Sequence, residues 1–510
     1  MTATADERLA FASPTGRWVL TATILGSGIA SIDATVVGIA LPAIGRSFDT
    51  GLQVLQWVVT AYTLTLAGLL LLAGALGDRY GRRRVFTFGV VWFAAASVLC
   101  GIAPDGWTLV AARALQGVGA ALLTPGSLAI LQASFRPEDR SRAIGAWSGL
   151  GGVATAIGPF LGGWLVGLGS SSWRLIFAIN VPIAAAVVYL TWRHVPESRD
   201  EEASGRVDLV SGALITAGLI GVTYGLIEGQ ALGWTSAPVL AALVAGALLV
   251  AGFLWRQTRL EHPMLPLGLF GSAQFTATNV VTFILYGALG GALFLLPIQL
   301  QQVAGYSPLE AGVSLLPLTV VMLLLSSRSG ALAARIGPRL QMSLGPVVAG
   351  AGMALYARID AGGSYLTEVL PAVLVLGLGL SITVAPLTST ALSSAPATHA
   401  GMASAVNNDV ARAAGLVAVA VLPAAAGITA AAYASPDLLS AGFHRAVLIC
   451  AALCVLAGGL AAVSIRNPRA EPRPPEEHPL RHCALDAPPA SLRRAGAPAP
   501  GPRPPASAES

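Results

Sequence analysis

The sequence predicts an all-α polytopic membrane protein. It should hold two six-helix bundles in parallel pseudo-repeat plus two inserted helices, fourteen transmembrane helices in total. Three observations predict this. The chain of 510 residues is 55% hydrophobic and 11% charged, with a mean hydropathy of +0.71, whereas a soluble domain carries about 25% charged residues. Apolar runs long enough to cross a bilayer recur fourteen times. A ten-residue segment also occurs twice, 256 positions apart.

Taken in order, residues 1–16 form a short polar lead. The runs at 17–44, 54–76, 84–103, 107–131, 142–167 and 173–192 make a first bundle over 17–192. The first run is too long for a signal-peptide core and lacks a convincing cleavage site, so it should remain as helix 1. Runs at 208–229 and 237–256 lie in a linker region, 193–272. Runs at 273–300, 310–334, 340–358, 366–388, 400–432 and 445–465 make a second bundle over 273–465. Residues 466–510 are rich in Pro, Ala and Arg, and read as a disordered tail. An even number of spans puts both ends of the chain on one side. Loops on that side carry fourteen arginines and the opposite loops four, so both termini should be cytoplasmic. Every basic residue is Arg, and with the abundance of Ala and Gly this points to a high-GC, bacterial source.

The repeat centres on the turn between runs 2 and 3. Gly74-Ala-Leu-Gly77-Asp78-Arg79-Tyr-Gly81-Arg82-Arg83 aligns with Gly330-Ala-Leu-Ala-Ala334-Arg-Ile-Gly337-Pro-Arg339, identical at six of ten positions. Near the same offset Pro42 meets Pro297, the Gly117-x-Gly119 pair meets Gly377-x-Gly379, and Pro125 meets Pro386. Runs 1–6 therefore correspond to runs 9–14 in the same orientation, a parallel repeat. Runs 7 and 8 belong to neither copy. The second copy has Ala334 in place of Asp78, so the repeat is functionally asymmetric.

A charge in hydrocarbon costs at least about 2.5–3.5 kcal/mol, so each one needs a reason. Asp33 lies about 22 Å from the inner interface at helical rise, and Arg113 about 10 Å from the outer one. In a core of about 30 Å these depths coincide. The pair reads either as a protonation switch, with Arg113 holding Asp33 ionised until a proton arrives, or as a static ion pair. Weaker polar sites are candidates for cavity lining: Gln116, Glu228 near the outer end of run 7, and Asn407, Asn408, Asp409 and Arg412 in run 13. Asp409 and Arg412 are three apart and can share a helix face. Gln299, Gln301 and Gln302 lie near the outer mouth, and Arg328 can snorkel.

Several of these segments resemble a known family. The turn at 74–84 closely resembles the loop between helices 2 and 3 of the major facilitator superfamily of transporters. Ser31-Ile-Asp33-Ala-Thr35-Val-Val-Gly38-Ile-Ala-Leu-Pro42 is similar to the helix 1 signature of the fourteen-helix drug:proton antiporters, with Gly38 where that family commonly has Asn. Residues 109–120, with Arg113, Gln116, Gly117 and Gly119, resemble the family's helix 4 motif, implicated in proton transfer. Residues 151–163, with Gly158-Pro159 and Gly162-Gly163, resemble the antiporter motif of helix 5, which accompanies export. Together these motifs cover most of the first half; the second half matches more loosely. The resemblance implies proton coupling through Asp33 and Arg113. It also implies a conformational latch at Gly74, Gly77, Asp78, Arg79, Gly81 and Arg82, with Asp78 facing the start of helix 13 near Gly401. The implied function is proton-driven export of amphipathic, drug-like or antibiotic molecules across the plasma membrane by a monomeric unit.

The rival readings are uptake or facilitated passage of a sugar or other metabolite, a membrane enzyme, and a non-transporting sensor. No cofactor, metal or nucleic-acid partner is expected. There is no Walker-type glycine loop, and the four cysteines (Cys100, Cys450, Cys454, Cys483) form no metal-ligand pattern. The six histidines lie in or beside loops and the tail, which argues against an enzyme built on a histidine cluster.

Overall fold

The computed structural model describes residues 8–199, 208–261, 263–395 and 400–467. The tail expected at 466–510 falls almost wholly outside the described residues. The fourteen apolar runs correspond in order to fourteen membrane-length helices. They are α1 (Pro14–Phe48), α2 (Leu52–Tyr80), α3 (Arg82–Ile102), α4 (Gly106–Ser134), α5 (Pro137–Val166), α6 (Ser172–His194), α7 (Leu209–Leu232) and α8 (Ala237–Gln257). The second set comprises α9 (Ala273–Gln302), α10 (Pro308–Ile336), α11 (Pro338–Arg358), α12 (Tyr365–Ser393), α13 (Ala400–Ala425) and α14 (Pro436–Ser464).

Most helices outrun the apolar runs that predict them, because polar caps extend them beyond hydrocarbon. Ser13 accepts from the Gly16 amide with Pro14 at the first helical position, so α1 begins inside the predicted lead. The lead itself packs: Leu9 bridges to Phe135, and the Phe11 amide donates to Asp139. The α10 helix is broken between Val313 and Leu316. Pro317 lacks the N–H that would continue the ladder there.

The pseudo-repeat is visible in the turns as well as in the helices. Gly81 and its mate Gly337 both take positive φ, 108° and 86°, which a side chain would resist. A residue following the last helix of each bundle then seats on that turn. Glu197 accepts from the Arg83 amide at 3.1 Å, and Asn467 accepts from the Arg339 amide at 3.0 Å. The helix starts after the two turns are thus capped by the same device in each half.

Helices α7 and α8 form a hairpin packed through glycines. A methyl on Gly246 would lie 2.6 Å from the Val222 amide nitrogen, and one on Gly218 would lie 2.8 Å from Val250. Asp208 caps α7 through the Ser211 amide and pairs with Arg256 of α8 at 3.0 Å. Partial burial pushes the Asp208 pKa up, but its hydrogen bonds from Ser211 and Arg256 outweigh this and hold it below the usual carboxylate range. The hairpin leans on α2, where Thr216 fills the notch at Gly68.

The bundles meet around a central cavity. Gln56 of α2 donates to the Val419 carbonyl of α13 at 2.7 Å, and Gln301 of α9 donates to the Ile39 carbonyl of α1 at 2.9 Å. Both bonds lie in the half of the molecule away from the arginine-rich turns. On the same side α5 presses on the first segment of α10. A methyl on Gly312 would lie 2.1 Å from the Pro159 carbonyl, and one on Gly163 would lie 2.4 Å from that of Pro308. Toward the arginine-rich face, Gly145, Gly149, Gly151 and Gly152 of α5 border open space.

Candidate functional site

Asp33 of α1 and Arg113 of α4 meet inside the first bundle, both side chains 1% exposed. The Arg113 Nη1 group donates to Asp33 Oδ2, and also to Gln116 Oε1 at 2.6 Å. Gln116 Nε2 returns to Asp33 Oδ1 at 2.8 Å, where Asn180 Nδ2 of α6 also donates at 3.1 Å. Ser97 of α3 accepts from both amides. Arg113 Nε donates to the Val58 carbonyl of α2, and its guanidinium stacks 4.2 Å from the Tyr62 ring centroid. Five helices thus contribute to one network around this carboxylate. A buried ion pair persists only when such a shell satisfies both partners, and removing one partner costs about 3–5 kcal/mol.

The cavity is a separate space, of about 330 Å³, between the bundles. Thr35 and Gly38 of α1, Thr60 and Thr63 of α2, Tyr286 of α9 and Arg412 of α13 give its wall polar and small positions. Leu289, Leu293 and Phe294 give it apolar ones. Asp33 is not in the wall, although its neighbours Ala34 and Thr35 are. The antiporter-motif glycines hold α5 close to this wall: a methyl on Gly158 would lie 1.9 Å from the Thr35 hydroxyl, and one on Gly162 would lie 3.1 Å from the Val36 carbonyl.

Of the residues singled out for cavity lining, the structure places Arg412 in the wall and the others elsewhere. Gln116 belongs to the Asp33 network. Asn407 is buried and donates to Asn279 at 3.0 Å and Thr282 at 2.9 Å, a tie between α13 and α9. Asn408 is exposed and donates to its own helix at Ser404. Asp409 lies outside the wall, its Oδ1 buried with no hydrogen-bond partner. Glu228 accepts from Trp57 Nε1 at 3.0 Å and from Gln53, binding α7 to α2. Two residues further, with its amide turned to satisfy both groups, Gln230 donates to the Ile428 carbonyl and accepts from the Ala424 amide. Asp78 takes Arg82 as its partner, Nη2 to Oδ1 at 2.9 Å, and is 41% exposed.

Asn180, Ser97 and Tyr286 were not anticipated from the sequence. Each is an uncharged polar group in an apolar run, and an amide in a membrane helix was the one legible signal.

Two parallel helical bundles around a central cavity are the architecture of a membrane transporter. The chain belongs to the Major Facilitator Superfamily, whose sequence profile matches residues 23–420. It is 37% identical over 388 residues to the multidrug resistance protein Stp of Mycobacterium tuberculosis, covering 76% of this chain and 71% of that one. It is 34% identical over 450 residues to the methylenomycin A resistance protein of Bacillus subtilis, covering 86% and 94%. Among solved structures, a bacterial homologue of the human lysosomal transporter Spinster superposes with a TM-score of 0.63 at 16% identity, covering 89% and 97%.

Proposed function

We propose that this protein is a proton-coupled antiporter that exports amphipathic, drug-like molecules across the bacterial plasma membrane. In this reading it works as a monomer with its arginine-rich face in the cytoplasm. The carrying observation is the position of Asp33: fully enclosed, satisfied by Arg113, Gln116 and Asn180, and one residue from the cavity wall. Protonating Asp33 in place would leave Arg113 buried without its counter-ion, at a cost of about 3–5 kcal/mol. Protonation therefore favours a different packing of α1 against α4, and α1 also lines the cavity. The bundles here are joined away from the arginine-rich face, which makes this the inward-facing state. Relatives named for multidrug and methylenomycin A resistance support drugs as cargo.

The test is Asp33→Asn in proteoliposomes. The variant should lose transport driven by a pH gradient, down to liposome background, while retaining substrate binding. Undiminished gradient-driven transport would overturn the assignment. The parent protein moving substrate equally well with the gradient dissipated would overturn proton coupling altogether.

A further inference from the structure

The polar groups of the cavity wall carry a chemical preference. Thr35 donates its hydroxyl proton to the carbonyls of Ile32 and Ser31, Thr60 to Gln56 and Thr63 to Val59. With their protons held by the helix backbone, the three threonines offer the cavity oxygen lone pairs. The donors that remain in the wall are the Tyr286 hydroxyl and the Arg412 guanidinium. Among the described residues neither group makes a hydrogen bond, and Arg412 makes no ion pair. Among the described residues, Arg412 is also the only charged one in the cavity wall.

The acids that could neutralise Arg412 are placed otherwise. Asp33 is enclosed by Arg113, Gln116 and Asn180, and Glu228 is held by Gln53 and Trp57. Asp409, three residues before Arg412 on the same helix, attracts it through space. It forms no ion pair with Arg412 and presents no oxygen to the wall. A half-buried guanidinium that makes no hydrogen bond offers its fixed fork of donors to an anionic or strongly accepting group, and charge-assisted hydrogen bonds are the stronger kind.

We propose that Arg412 selects the cargo by charge: the preferred substrate is an amphipathic aromatic acid, its anionic head on Arg412, its hydroxyl protons on the threonine oxygens and its ring among Leu289, Leu293 and Phe294. Permanent cations are disfavoured. The proposal rests on the reading of this cavity as an exporter's substrate site.

The test uses three probes with one aromatic body: hydroxynaphthoate, its primary amide and the corresponding aminomethyl cation. Binding to the purified full-length chain is measured for the parent, Arg412→Gln and Arg412→Lys. The parent should bind the anion about tenfold or more tighter than the amide and tighter still than the cation, as expected for one charged hydrogen-bonded contact. Arg412→Gln should erase this ranking while the neutral amide still binds saturably, which reports an intact cavity. Arg412→Lys should keep the sign of the preference with a smaller ratio. A parent that prefers the cation, a ranking that survives Arg412→Gln, or no saturable binding of the anion each overturns the proposal.

Gradient-driven transport of the same probes in proteoliposomes separates the two readings. If the cation is the probe exported, the exporter reading stands and the charge preference falls. If no probe is driven by the gradient but the anion ranking still follows Arg412, the exporter reading falls and the site remains.

Discussion

Asp78 is held by a half-exposed i,i+4 contact from Arg82, and such helix pairs contribute only about 0.3–0.5 kcal/mol. Folding therefore depends little on it. A helix N-terminus would offer the same carboxylate about 0.3–2 kcal/mol, enough to shift a two-state population by up to about thirtyfold. We expect Asp78→Asn to fold and insert normally but transport poorly, with the inward-facing state enriched. A reporter cysteine at the arginine-rich end of α13, in a background lacking the native cysteines, checks this. If its labelling equals the parent's while transport falls, Asp78 does not latch onto α13. Asp33 and Arg113 were legible because charge is rare in hydrocarbon, and Asp78 because it is an acid in a basic turn whose repeat copy has Ala334. Asn180 was not. It completes the shell of Asp33 from a helix whose register only the fold reveals.

Among the elements, α5 packs closely against both bundles. It presses on α1 through Gly158 and Gly162, and on α10 through Pro159 and Gly163, so one helix belongs to the packing of both bundles. Gly312→Ala would put a methyl 2.1 Å from the Pro159 carbonyl. Overpacking of this kind costs typically about 1–3 kcal/mol. That seam is closed in this structure and, under the proposed cycle, opens in the alternate state, so the cost falls on the state seen here. We expect Gly312→Ala to retain folded yield and shift the population outward by about tenfold, read as increased labelling of a cysteine near Gln301 by a membrane-impermeant reagent. The glycine motif of α5 was legible as close packing, and so was the run that became α10. Its break was not read, although Pro317 stood in the sequence. Nor was the capping of the two pseudo-repeated turns by Glu197 and Asn467, since those residues differ in type and lie beyond the aligned segment.

For the whole molecule, fourteen spans and a two-fold internal repeat follow from hydropathy and one duplicated turn. The placement of the inserted hairpin does not, because neither run matches a partner. The structure sets α7 across the seam between the bundles. Glu228 binds α2 of the first bundle, and Gln230 binds the end of α13 in the second. In the proposed cycle the bundles separate on this side; Glu228 keeps α7 on α2 through Trp57 and Gln53, so the Gln230 attachment is the one expected to release. A disulfide between cysteines placed at Gln230 and Ile428, in a background without native cysteines, should halt transport when oxidised and release it on reduction. Full transport in the oxidised, cross-linked protein would show that α7 travels with the second bundle throughout the cycle.

The separation of Asp33 from the cavity wall has an evolutionary consequence. Leu289, Leu293 and Phe294 shape the space available to cargo, and none of them touches the carboxylate network of the first bundle. In the proposed function, substitutions there can widen or redirect what the molecule accepts and leave its drive untouched. Under the proposed coupling, a lineage carrying this chain could track new toxins by small changes in one wall while inheriting its engine intact.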